Sequence, residues 1–119
     1  MKPAVVANLA SNPKGNPLEI ARVAGITAAK KTAELISLCH ALPLFRMLMW
    51  KYHRRRTAPR IITTASTMAQ TGVEMEALTA AAVAAITVYD MTRALDKSIG
   101  IQDVYLLSKT GGKSGDYQR

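Results

Sequence analysis

Three short strings collect the residue types that can do chemistry. Leu38-Cys39-His40 sets a thiol beside an imidazole, Glu74-Met75-Glu76 puts two carboxylates just after Gly72, and Asp90, Arg93 and Lys97 repeat at helical spacing. Four lysines stand apart from them: Lys14, Lys30, Lys109 and Lys113. Carboxylates accept N–H donors of a polar heterocycle strongly, and an acid held by a cation can carry a proton. Lysines converging on one place would hold a polyphosphate, and the glycine-rich Gly111-Gly112-Lys113-Ser114-Gly115 can wrap a phosphate with backbone N–H groups. Each string also has a plainer reading. Cys39 can be a buried thiol beside a surface His40. Glu74 and Glu76 can simply favour a helix N-terminus. Asp90 and Arg93 can be a solvated i, i+3 pair, although Asp90 directly follows an apolar stretch and is expected to be partly buried. A lone Cys-His pair lacks the spaced ligands of a zinc site, so no metal is expected. Gly112-Lys113-Ser114 is not a nucleotide P-loop, because Leu107 occupies the leading glycine position and no helix follows.

These residues need elements to position them. Asn16-Pro17-Leu18-Glu19 is a helix start: Asn16 caps, Pro17 suits the first helical position, and Glu19 stands where a capping box places its acid. The helix should run to about Leu35, with Ile20, Val23 and Thr27 on one face and Leu18, Gly25 and Ala28 supporting close packing. Residues 36–44 read as a loop, with Pro43 opposing helix. Ile61–Thr67 reads as a strand from its β-branched content, Ala77–Leu95 as an Ala-rich helix, and Ile99–Leu107 as a second strand. The polar tail from Ser108 is a mobile terminus or a loop ordered by an anion. Helices alternating with strands in a short chain favour a two-layer α+β sandwich.

At 119 residues the chain is expected to form one domain, 1–119, with 109–119 as its glycine- and lysine-rich tail. One cysteine excludes an internal disulfide and fits a reducing compartment. The longest apolar run, Ala77–Tyr89, is too short to span a bilayer, and the first ten residues lack a sustained hydrophobic region, so a cytoplasmic protein with no membrane partner is expected. The net charge of +8 suggests nucleic acid, but Arg46, Lys51, Arg54, Arg55, Arg56 and Arg60 concentrate most of the excess in one segment. That is a local feature and not the footprint of a basic domain.

The strings Lys14-Gly15, Ala21 to Ile26, Ala28 to Thr32, Leu38-Cys39-His40, Thr71 to Thr79, Tyr89-Asp90-Met91, Asp96-Lys97 and Lys109 to Gly115, in this order, resemble the cyclic pyranopterin monophosphate synthase family of molybdenum-cofactor biosynthesis. The resemblance implies a lyase that converts a cyclic dihydro-GTP derivative to cyclic pyranopterin monophosphate with release of diphosphate. It implies a ferredoxin-like sandwich, an antiparallel sheet with helices on one face, assembled as a homohexamer of three dimers with the site at a subunit interface. No redox cofactor is implied. By the same resemblance Asp90 is catalytic and Lys14 serves acid–base chemistry. Leu38, Cys39, His40, Met75 and Glu76 bind substrate, Glu74 is an adjacent pocket acid, and Lys30, Lys109 and Lys113 bind the phosphates. Arg93 stands where the family commonly has lysine. It keeps the charge and is counted with the catalytic group, but it does not exchange a proton near neutral pH.

Two further departures accompany Arg93. Family members carry a strand-forming segment before the Lys14-Gly15 region, so the N-terminal segment is expected to be missing here. Residues 44–60 do not resemble the family, which has a strand of the type Ser-His-Val-Asp-Val-Glu-Val. Arg46–Lys51, written CGC ATG TTG ATG TGG AAG, reads from its third base as His-Val-Asp-Val-Glu; a shifted frame is the hypothesis, and an unshifted gene sequence would defeat it. With three consecutive arginines, costly to desolvate unpaired, the segment is expected to loop out as an aberrant strand. Two other readings of the chain are a nucleic-acid-binding module built on 46–60 and a catalytically impaired relic of the family.

Overall fold

The computed structural model describes residues 1–38, 46–54, 59–68, 72–111 and 114–119. The order of elements is α1 (Pro3–Ala7), a 3-10 turn (Leu9–Ser11), α2 (Pro17–Lys30), α3 (Thr32–Leu35), β1 (Arg46–Arg54), β2 (Pro59–Ser66), α4 (Glu74–Thr92), β3 (Ser108–Lys109) and β4 (Tyr117–Gln118). The chain is α+β, with two antiparallel pairs, β1–β2 and β3–β4, and helices packed on the larger one.

α2 starts as its sequence dictates. Asn16 Oδ1 accepts the Leu18 N–H at 3.0 Å and Pro17 occupies the first turn. Glu19 turns to Arg22 at 4.0 Å. At the other end Lys31 leaves helical geometry, and the buried Thr32 hydroxyl donates to the carbonyls of Ala28 and Ala29 at 3.2 and 2.9 Å, covering groups that a helix end leaves open. The buried face is Leu18, Ala21, Gly25, Ala28 and Ala29, while Ile20 and Val23 face solvent. The helix buries the close-packing face expected from Leu18, Gly25 and Ala28, and the face of Ile20 and Val23 lies outside it, because small side chains let a second backbone approach. That second backbone is α4, whose Ala80, Ala84 and Val88 join Leu9, Leu18, Ala21 and Ala29 in the core.

α4 runs from Glu74 to Thr92, beginning three residues earlier than expected and ending three earlier. Glu74 and Glu76 occupy its first turn, where the helix dipole favours them. The Thr63 hydroxyl of β2 donates to the Ala77 carbonyl at 2.6 Å and ties the sheet to this end. Among the described residues no helix is long and apolar enough to cross a membrane.

Residues 46–54 do not loop out. They pair with β2 from Arg46↔Ser66 to Arg54↔Pro59, with a register shift between Met49 and Lys51. The β-branched run Ile61–Thr64 offers a ladder, and the extra residue at Trp50 is absorbed as a local irregularity. Arg55 and Arg56 lie outside the described residues. The strand expected over Ile99–Leu107 does not form; only the two residues after it pair, Ser108↔Gln118 and Lys109↔Tyr117. Asp103 adopts φ 51°, which interrupts an extended run, and Ile101, Val104 and Tyr105 are exposed. Alternation alone does not make a strand when no neighbour supplies the ladder.

The N-terminal helix is held by one carboxylate. Asp96, 2% exposed, accepts the Lys2 N–H at 2.6 Å and the Ser98 N–H and hydroxyl at 2.9 and 2.5 Å. These bonds, the Ser98 hydroxyl foremost, lower its pKa from 3.8 to about 2.

Candidate functional site

The chemistry-bearing residues gather at the two ends of α4. At the first end, Glu74 Oε1 lies 3.6 Å from Lys109 Nζ, and the same ammonium donates to Ser114 Oγ at 2.8 Å. Lys109 thus links the helix to the β3–β4 hairpin, with its side chain 16% exposed and that of Glu74 35% exposed. The hairpin loop is closed by Gly111 N–H donating to Asp116 Oδ1 at 3.0 Å, with Gly111 and Gly115 in left-handed conformations that favour glycine. Glu74 Oε2 is buried without a hydrogen-bond partner among the described residues. Gly72 leaves room for it, since a Cβ there would collide with that oxygen. Glu76, two residues on, is 4% exposed, and Met75 between them is half-buried. This end therefore offers the Glu74 carboxylate as an acceptor beside a fixed cation.

At the second end, Asp90 Oδ1 meets Arg93 Nη2 at 3.5 Å, and both side chains are 64% exposed. The partial burial expected for Asp90 is not realised. Lys97 does not share its helical face, because α4 stops at Thr92. Lys14 is brought to the same end by Asn12. The Asn12 amide donates to the Met91 carbonyl at 2.8 Å, and its oxygen accepts the Lys14 N–H at 2.9 Å. That contact also puts the start of α2 beside the end of α4, so the two packed helices run in opposite directions. Lys30, the exposed last residue of α2, accordingly stands toward the Glu74 end.

The sixteen positions between Glu74 and Asp90 correspond to about 24 Å along a helix axis. One chain therefore separates the expected site into two groups: Glu74, Met75, Glu76 and Lys109, with Lys30 toward them, and Lys14, Asp90 and Arg93. Leu38 is 94% exposed and touches neither group by any described hydrogen bond. Cys39, His40 and Lys113 lie outside the described residues. A cleft of about 560 Å³ between β2, α4 and residues 98–107 is lined by Arg60, Tyr89, Asp103 and Tyr105, and by none of the expected site residues. Among the described residues no cluster of His, Cys, Asp and Glu could hold a metal ion.

Sequence reading missed two participants. Ser114 lay within a string valued for its glycines and lysine. Asn12 carried a signal, since Asn12-Pro13-Lys14-Gly15 is turn chemistry, but nothing in the sequence told where the turn docks.

Comparison with known proteins places these residues in a family context. The family model described as the MoaC family matches residues 1–112. Cyclic pyranopterin monophosphate synthases of Staphylococcus aureus strains Newman and USA300 are each 53% identical over 113 residues, covering 92% of this chain and 69% of theirs. The counterpart in strain JH9 is 52% identical over the same length.

Proposed function

The chain belongs to the MoaC family, and on that premise we propose that it is a cyclic pyranopterin monophosphate synthase, a lyase of molybdenum-cofactor biosynthesis. Its substrate is the cyclic dihydro-GTP intermediate, and its products are cyclic pyranopterin monophosphate and diphosphate. Closing the cyclic phosphate forms one P–O bond at the α-phosphorus and breaks the α–β anhydride, so negative charge accumulates on the leaving diphosphate. Lys30, Lys109 and Lys113, with Arg93, are the cations that meet this charge. Glu74 and Glu76 accept the N–H groups of the base being remodelled, beside Leu38, Cys39, His40 and Met75. Asp90 and Lys14 move protons. The observation on the chain itself that carries this reading is Glu74, whose Oε2 is buried and unpartnered among the described residues while its Oε1 faces Lys109: an acceptor that awaits a donor, beside a cation already in place.

The two groups along α4 act together only if neighbouring copies bring opposite helix ends into one pocket. We therefore place the active site between subunits of a homo-oligomer, a hexamer in the family pattern. The ferredoxin-like sheet belongs to the same proposal, with each chain as one domain. Incubating purified protein with the cyclic GTP intermediate and following diphosphate tests the reaction; wild-type protein that releases none would sink it. Mixing Asp90→Ala with Lys109→Ala chains tests the shared pocket. At substrate well below the raised KM of Lys109→Ala, mixed assemblies turn over faster than either variant alone, whereas a mixture no faster than the two variants apart would assign both residues to one chain's own site.

A further inference from the structure

We propose that Asn12 is a positioning residue that fixes Lys14 against the turn of α4 carrying Asp90. The proposal rests on the reading of Lys14 and Asp90 as the proton-transfer groups and adds what holds them in register. One primary amide makes both links. Its Nδ2 donates to the Met91 carbonyl at 2.8 Å, across 79 residues of sequence, and its Oδ1 accepts the Lys14 N–H at 2.9 Å. The Asn12 carbonyl accepts the Gly15 N–H at 3.0 Å, and the Asn12 N–H donates to Leu9 at 3.3 Å, so the turn is closed on both sides.

The turn has little freedom left. Pro13 fixes one backbone angle. Gly15 sits at φ 109°, and a Cβ there would stand 3.0 Å from Ile20 Cδ1. The Lys14 Cα is thereby fixed relative to Met91, and Met91 directly follows Asp90.

The chemistry demands an amide. Met91 is in the last turn of α4, where carbonyls run out of helical donors, so the linking group must donate there and accept from Lys14. A carboxylate accepts only, and an aliphatic side chain does neither. Asn12→Asp preserves shape and the Lys14 link, but it sets a negative oxygen against the Met91 carbonyl and adds charge near the lysine. Asn12→Ala removes both links.

The test compares Asn12→Asp and Asn12→Ala with wild type, using Lys14→Ala and Asp90→Ala as references, with turnover of the cyclic GTP intermediate expressed per folded molecule from circular dichroism. Displacing a reacting group by about 1 Å costs up to about 100-fold. We expect kcat to fall about 10–100-fold in both Asn12 variants with KM within about threefold of wild type. A purely structural role would lower the yield of folded protein and leave kcat per folded molecule unchanged. Should either variant fold poorly, Asn12→Gln, which keeps an amide donor and acceptor, is measured beside it and is expected to retain more kcat than Asn12→Ala. Wild-type kcat per folded molecule in the Asn12 variants overturns the proposal while inactive Lys14→Ala and Asp90→Ala leave the underlying reading intact. Full activity in those two references removes the reading, and the proposal with it.

Discussion

Two ion pairs at the ends of α4 differ in what they do. Asp90–Arg93 is open to water on both sides and contributes a few tenths of a kcal/mol, about 0.3–0.5. Arg93→Ala should therefore leave the urea midpoint almost unchanged, and any fall in turnover belongs to the reaction and not to folding. Glu74–Lys109 is more sheltered and has a third member in Ser114. Lys109→Ala removes a cation proposed to bind phosphate and should raise KM for the triphosphate substrate by about 10-fold or more, since a charge-assisted contact is worth about 1.5–3 kcal/mol. Gly72→Ala should act on the same measurement from a distance, by pushing Glu74 Oε2 out of the space it occupies; an unchanged KM in both variants would detach this cluster from substrate. The types of these side chains were legible in the sequence. Their grouping was not, because neither spacing nor composition says which end of a helix a hairpin from the far end of the chain will reach.

Among the elements, α2 was legible at its start and on its small-residue face. The Asn16 cap and Pro17 in the first turn are local chemistry and held without help from the rest of the fold, while Glu19 turns to Arg22. Which side turns inward depends on what lies opposite, and α4 offers alanines, so the buried stripe is the small one. Ile99–Leu107 was misjudged because a strand needs a neighbour, and among the described residues no strand pairs along it; only Leu107, at its end, accepts the Arg119 N–H. Leu18 is one of few large side chains in an alanine-rich core, so Leu18→Ala should cost about 2–5 kcal/mol in urea unfolding. The N-terminal helix depends on Asp96. Its folded-state pKa is depressed from 3.8 to about 2, so the stabilisation it gives is complete above the unfolded value and is lost as pH falls through the folded one. Amide exchange in Pro3–Ala7 should accelerate on acidification across that window. Asp96→Asn should show the faster exchange already at neutral pH; equal protection in both proteins would remove the carboxylate from that role.

For the molecule as a whole, the governing fact is that α4 is a rigid rod with complementary equipment at its two ends. Under the proposed assembly each copy lends its Glu74 end to one pocket and its Asp90 end to another. Dilution below the dissociation constant of the assembly should then abolish turnover before it unfolds the chain, which size-exclusion chromatography run beside the diphosphate assay can follow. Heredity adds a consequence. A cell making normal chains together with one altered at both ends, Asp90→Ala and Lys109→Ala combined, would find each faulty copy poisoning two pockets instead of one, so such an allele should behave as dominant.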